Sequence, residues 1–148
     1  IRERVQSFRR SHHPKIKEIA RTRAKVMSAL SKGDSSQAWR LVTDPDLTER
    51  VTEHPEFKCL IADVALRVEP KRLEEVRTQL RDAIRLGYAD IDVIRKWYDA
   101  EKETGYTTDI QIEICDLVMQ SEKSFSKRDR IEFKQRKAST LFWYFENL

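Results

Sequence analysis

The sequence predicts an all-α fold: antiparallel helical hairpins at a step of about 36 residues, about seven helices in all, stacked as a short α-solenoid. Three observations lead there. Helix breakers are scarce, with 3 Gly and 4 Pro in 148 residues, while charged residues reach 36% and many of them are good helix formers. Apolar residues recur at three- and four-residue spacing, and no long alternating Val/Ile/Thr run competes for strand. The breaks at Gly33-Asp34, Glu69-Pro70 and Gly105-Tyr106 fall at 33, 69 and 105, each 36 positions from the last.

Residues 1–13 read as a basic leader, either flexible or the end of a preceding helix, and 14–148 as the helical-repeat domain. The chain opens on Ile1 rather than Met and reads as a piece of a larger protein. The first helix is expected near 15–32. Pro14 sits at its first turn, where the missing N–H costs nothing, and Ile16, Ile19, Ala20, Met27 and Leu30 lie on one side. Asp34, Ser35 and Ser36 offer caps for a short second helix, 36–43. The stretch "TDPDLTERVTEHPE" (43–56) holds two prolines and reads as a loop with one turn near 46–52.

The helix over 55–68 has the cleanest apolar stripe: Phe57, Leu60, Ile61, Val64, Ala65 and Val68. Beyond the second break come Leu73, Val76, Leu80, Ala83 and Ile84, with Gly87 suited to a left-handed C-terminus. The helix over 90–104 carries Ile91, Ile94, Trp97 and Tyr98. Thr107, Thr108 and Asp109 can cap the next, which carries Ile110, Ile114, Leu117 and Val118. In the last, 127–147, the expected core stripe is Ile131, Ala138, Leu141, Phe142, Phe145 and Leu148.

A helical hairpin of this length resembles the tetratricopeptide-like α-solenoids. That family places Gly or Asp between its two helices and a small residue five positions on. Gly33-Asp34 followed by Ala38 keeps the pattern, Gly105 followed by Ile110 keeps half of it, and Glu69 followed by Glu74 departs from it. Val26 and Tyr98 stand where the family has a small residue inside the first helix. A 36-residue step suits the RNA-reading pentatricopeptide cousins as well, and an irregular helical bundle is the alternative architecture. The resemblance implies a right-handed superhelix with a groove lined by the first helix of each pair, here carrying Arg21 and Lys25, then Asp63 and Arg67, then Lys96 and Trp97. It implies no particular binding residues.

The net charge of +4 conceals an asymmetry. Residues 1–32 carry ten Lys/Arg against two Asp/Glu, residues 33–123 thirteen against twenty, and residues 124–148 six against three. Lys17, Arg21, Lys25 and Lys32 fall within roughly 80° of one another on a helical wheel, the first candidate partner-binding face. Such a stripe suits an acidic protein surface or the phosphates of nucleic acid, or it is a solvated helix face. Few aromatics are interleaved with it, which disfavours single-strand stacking. The second candidate is the aromatic end "LFWYFENL": Trp143 points away from the expected core, with Tyr144 and Phe133 on its flank. Trp and Tyr are common interface anchors, though a following element of the chain would also cover them.

Other chemistry has little support. Cys59 and Cys115 have no ligand-spaced partner and read as reduced core thiols. Asp44, Asp46, Asp90 and Asp92 lack the Gly and distal Glu of a calcium loop, and Asp92 reads as a helix cap. His12-His13 has no third ligand nearby, and Glu101 and Glu103 read as a solvated face. No glycine-rich phosphate loop or hydrolase motif is present. The expectation is therefore a non-catalytic scaffold, with no cofactor or metal, that binds a protein or peptide partner or positions other domains of its chain. A nucleic-acid-binding domain and a regulatory segment of an enzyme acting elsewhere are the alternatives. No apolar run is long enough to span a membrane and no secretion signal is visible, so a cytoplasmic or nuclear setting is expected.

Overall fold

The computed structural model describes residues 2–148, with side chains from Lys15 onward. The described residues form eight helices and no strand: α1 (Arg2–Ser31), α2 (Ser35–Val42), α3 (Pro45–Val51), α4 (Pro55–Arg67), α5 (Leu73–Arg85), α6 (Ile91–Thr104), α7 (Thr108–Gln120) and α8 (Lys127–Glu146). Each of the three breaks turns a hairpin: α1 packs on α2, α4 on α5 and α6 on α7. Successive hairpins stack, α4 meeting α1 and α2, and α6 meeting α4 and α5. α8 closes the row against α7 and, through Phe133 and Tyr98, against α6.

The ends of the helices follow from local chemistry. Gly33 and Gly105 adopt φ of 76° and 74°, a left-handed turn that a Cβ would strain. The Gly33 N–H then donates to the Leu30 carbonyl at 3.0 Å and the Asp34 N–H to the Ala29 carbonyl at 2.9 Å, satisfying groups the helix end leaves open. The Asp34 carboxylate accepts from the Gln37 N–H at 3.0 Å and starts α2.

The stretch 43–56 is more ordered than expected. Asp44 accepts from the Asp46 N–H, Pro45 takes the first turn, and Leu47 and Val51 face inward as α3. Pro55 likewise opens α4. The proline at the first helical position that the sequence suggested for α1 occurs instead in these two helices, while α1 begins well before Pro14. The leader's side chains, His12 and His13 included, lie outside the described residues. At α6 the cap is Asp90, which accepts from the Asp92 N–H at 2.8 Å, while Asp92 pairs with Arg95. Thr107 does not cap α7, because its hydroxyl donates to the Glu101 carbonyl at 2.8 Å.

Two apolar clusters form the core, and α4 supplies both. Phe57, Leu60, Ile61 and Val64 close the first with Ile19, Val26, Val42 and Val51. Cys59, Ala62, Ala65 and Leu66 close the second with Leu80, Ile94, Trp97, Ile114, Val118 and Phe133. Trp39 packs against both. Both cysteines are free and buried.

Three expected faces are corrected. In α1 the buried seam is Ile19, Thr22, Val26 and Ala29, leaving Ile16 54% exposed. An outermost helix of a stack is covered on one side only, so its apolar stripe is narrower than the wheel suggests. Glu101 is fully buried rather than solvated, because Arg77 of α5 reaches across to it. In α8 the buried residues are Phe133 and Thr140, whereas Ile131, Ala138, Phe142, Phe145 and Leu148 are exposed.

Candidate functional site: an aromatic helix end beside a cavity

α4, α6 and α8 begin at residues 55, 91 and 127, in step by 36. α6 has 14 residues and α8 has 20. The extra turns carry α8 past the level at which α6 ended and the chain turned back at Gly105. The residues in that extension are Leu141–Glu146, the aromatic run. Phe142 is 68% exposed, Trp143 54%, Phe145 65% and Leu148 81%. Tyr144 stacks edge-on against Phe145, ring centroids 5.6 Å apart. From the facing α6–α7 turn Tyr106 projects almost fully into solvent.

Two adjoining cavities lie between this extension and the α6–α7 turn, with Trp143, Gly105 and Thr108 common to both. The inner one, about 430 Å³, is bounded by Tyr98, Lys102, Gln111 and Thr140 as well. The outer one, about 390 Å³, reaches Tyr106, Asp109, Tyr144 and Leu148. Both volumes fall within the roughly 300–1,000 Å³ usual for ligand pockets. In the inner wall the Tyr98 and Thr140 hydroxyls bond to each other, and burial pushes the Tyr98 hydroxyl above its ordinary pKa. Gln111 is 6% exposed, and no described group hydrogen-bonds its carboxamide.

Ion pairs hold α8 in place. Arg95 of α6 meets Glu132 at 2.8 Å and Asp129 at 3.4 Å, Arg136 meets Asp99, and Lys137 meets Asp116 of α7 at 2.7 Å. Arg95 lowers the Glu132 carboxyl below its ordinary pKa through these bonds. Asp63, expected along the groove, is gripped by Arg67 at 3.0 Å and Lys96 at 3.3 Å. The structure thus joins three of the expected groove residues, while Trp97 is buried in the core.

Of the expected aromatic site, Trp143 and Tyr144 are exposed on the extension and Phe133 is not. Phe133 is fully buried, edge-on to Tyr98 at 6.1 Å with the Arg136 guanidinium above it. It lies ten residues before Trp143, on the side of α8 that faces α6, so it belongs to the core rather than to a docking face. The expected basic face is exposed throughout at Lys17, Arg21, Lys25 and Lys32. None of the four pairs with a described carboxylate, and the nearest acid on α1, Glu18, is held by Arg50. Lys25 and Lys32 edge a shallow groove between α1 and α2. The basic and aromatic faces stand on the first and last helices of the row. Gln111, Lys102 and Thr140 carried no motif by which the sequence could mark them.

No helix among the described residues is long and apolar enough to cross a membrane. No family model, curated protein or solved structure matches this chain.

Proposed function

We propose that this chain is a non-catalytic, tetratricopeptide-like scaffold domain that docks a protein or peptide partner, or holds neighbouring domains in position, at the α8 side of its hairpin row. One observation carries this reading. The core closes without Phe142, Trp143, Tyr144, Phe145 and Leu148, which are all exposed at the end of α8, and three of them, Trp143, Tyr144 and Leu148, line the two cavities. A contiguous exposed apolar patch marks an interaction surface, and Trp and Tyr are its usual anchors. The test is selection of a random peptide display library on the whole chain, with the Phe142→Ser/Phe145→Ser variant as comparison. Peptides that bind the parent and lose binding to the variant are expected. Enrichment of none, or of peptides indifferent to the variant, would overturn the reading.

The basic face, without an ion pair among the described residues, favours a second reading, a helical domain that binds nucleic acid through α1. Single-stranded RNA and duplex DNA titrated at low and moderate salt decide it. Micromolar binding that survives moderate salt, and is lost in Lys17→Glu/Arg21→Glu/Lys25→Glu, supports it. Binding that vanishes with salt removes it.

A further inference from the structure

We infer that the inner cavity between the α6–α7 turn and α8 receives a peptide segment bearing an apolar side chain next to a carboxylate. The apolar side chain would lie on the Trp143 indole, the main-chain amide on the Gln111 carboxamide and the carboxylate on Lys102. This inference rests on the docking reading and names the chemistry of the partner.

The Gln111 carboxamide is the first support. Five polar or charged side chains are buried among the described residues: Thr22, Asp63, Glu101, Gln111 and Thr140. Four of them are satisfied. Thr22 bonds the Glu18 carbonyl, Asp63 is held by Arg67 and Lys96, Glu101 by Arg77 and Trp97, and Thr140 by Tyr98. Gln111 makes no side-chain hydrogen bond to a described group, and its carboxamide stays accessible at the wall of the inner cavity, unlike Gln79 Oε1 and Arg130 Nε, which are sealed from solvent without a partner. A carboxamide offers donors and an acceptor side by side, the complement of a peptide group.

The charge pattern is the second support. On α6, Asp99 pairs with Arg136 and Glu103 with Lys71. Lys102, between them, has no described carboxylate partner and borders the inner cavity. Asp109 borders the outer cavity, beyond Trp143. The inner cavity therefore favours an acid, and the carboxylate beyond the indole disfavours a register in which the ligand's acid lies outward. The exposed indole supplies the apolar wall between the two.

The test is a titration of the whole ¹⁵N-labelled chain with acetyl-Ala-Leu-Glu-Ala-amide and its Gln and Lys analogues, read on the Gln111 carboxamide and Trp143 indole resonances. Both are expected to shift together, with the Glu peptide binding several-fold tighter than the Lys peptide. Lys102→Glu should reverse that order. Gln111→Leu keeps an apolar floor, so its thermal midpoint should match or exceed the parent's while binding is lost. No shift at these groups with any of the three peptides, or an order that ignores Lys102→Glu, would overturn the inference. If display-selected peptides bind through Phe142 and Phe145 yet ignore Gln111→Leu, this inference falls and the docking reading stands. If the display selects nothing, the docking reading falls.

Discussion

Glu101 of α6 lies fully buried, its two carboxylate oxygens taken by the Arg77 guanidinium at 2.7 and 2.9 Å and one of them also by Trp97 Nε1 at 3.2 Å. Burial alone would raise its pKa. The bonds from Arg77 and Trp97 outweigh burial and hold the carboxyl below the ordinary 4.5 of a glutamate. Removing one partner of such a pair strands the other, which costs about 3–5 kcal/mol. Glu101→Ala should lower the unfolding free energy by that amount, read as a lower urea midpoint at unchanged slope, while Arg77→Met/Glu101→Leu should recover much of it. Because the folded-state pKa is the lowered one, the unfolded chain takes the proton first as pH falls. The contribution of Glu101 is fully present above the unfolded pKa and is lost as pH falls through the folded one. Urea titrations across the acid range should therefore show a steeper loss for the parent than for Glu101→Gln. The cysteines report the same event. Burial pushes the Cys59 thiol up to about 11 and Cys115 up to about 12, so near neutral pH both should resist iodoacetamide until the chain unfolds. Faster labelling in Glu101→Ala is the expected companion result.

α8 tests which side of a helix is structural. Phe133→Ala removes a fully buried ring and should cost about 3–5 kcal/mol. Phe142→Ser/Phe145→Ser removes two rings the core does not use and should stay within about 0.5 kcal/mol of the parent per site, read by urea titration. The opposite pattern would show that the aromatic run is core. The wheel read α8 backwards for a physical reason. Apolar spacing marks a buried face only where the buried contacts are apolar, and α8 is attached largely through Asp129, Glu132, Arg136 and Lys137. α4 was readable because it is apolar on nearly every side, with both core clusters drawing on it. The turns at 33, 69 and 105 were readable because Gly and Pro announce them. α3 was hidden because its prolines looked like breakers, although Pro45 and Pro55 each open a helix. At the candidate site Trp143 and Tyr144 were legible from composition. Gln111 and Thr140 were not, because a buried polar residue differs from an exposed one only through what the fold packs around it.

Across the whole molecule, neighbouring hairpins are tied by ion pairs that span about one step of sequence: Glu18 to Arg50, Asp63 to Lys96, Lys71 to Glu103, Arg81 to Glu113 and Asp99 to Arg136. Apart from that of the buried Asp63, these pairs are largely exposed and contribute little each, about 0–1 kcal/mol. They align hairpins whose cohesion comes from the two clusters. Such a row behaves as a one-dimensional stack, each unit stabilised by its neighbours. α4 has neighbours on both sides and shares side chains with both clusters, whereas α1 and α8 end the row. Local opening should therefore begin at the ends. In native-state hydrogen exchange the amides of α4 should exchange only through global unfolding, with the slope of the full urea transition. Amides of α8 beyond Thr140 should exchange fastest, through fraying with almost no denaturant dependence, and those of α1 from Ile19 to Ala29 at an intermediate level. A charge at Ala65, fully buried on α4, should then unfold both halves together, since neither cluster closes without that helix. If instead α1 and α4 exchange at one common level while α5–α7 exchange separately, the two clusters are independent folding units and α4 belongs to the first alone.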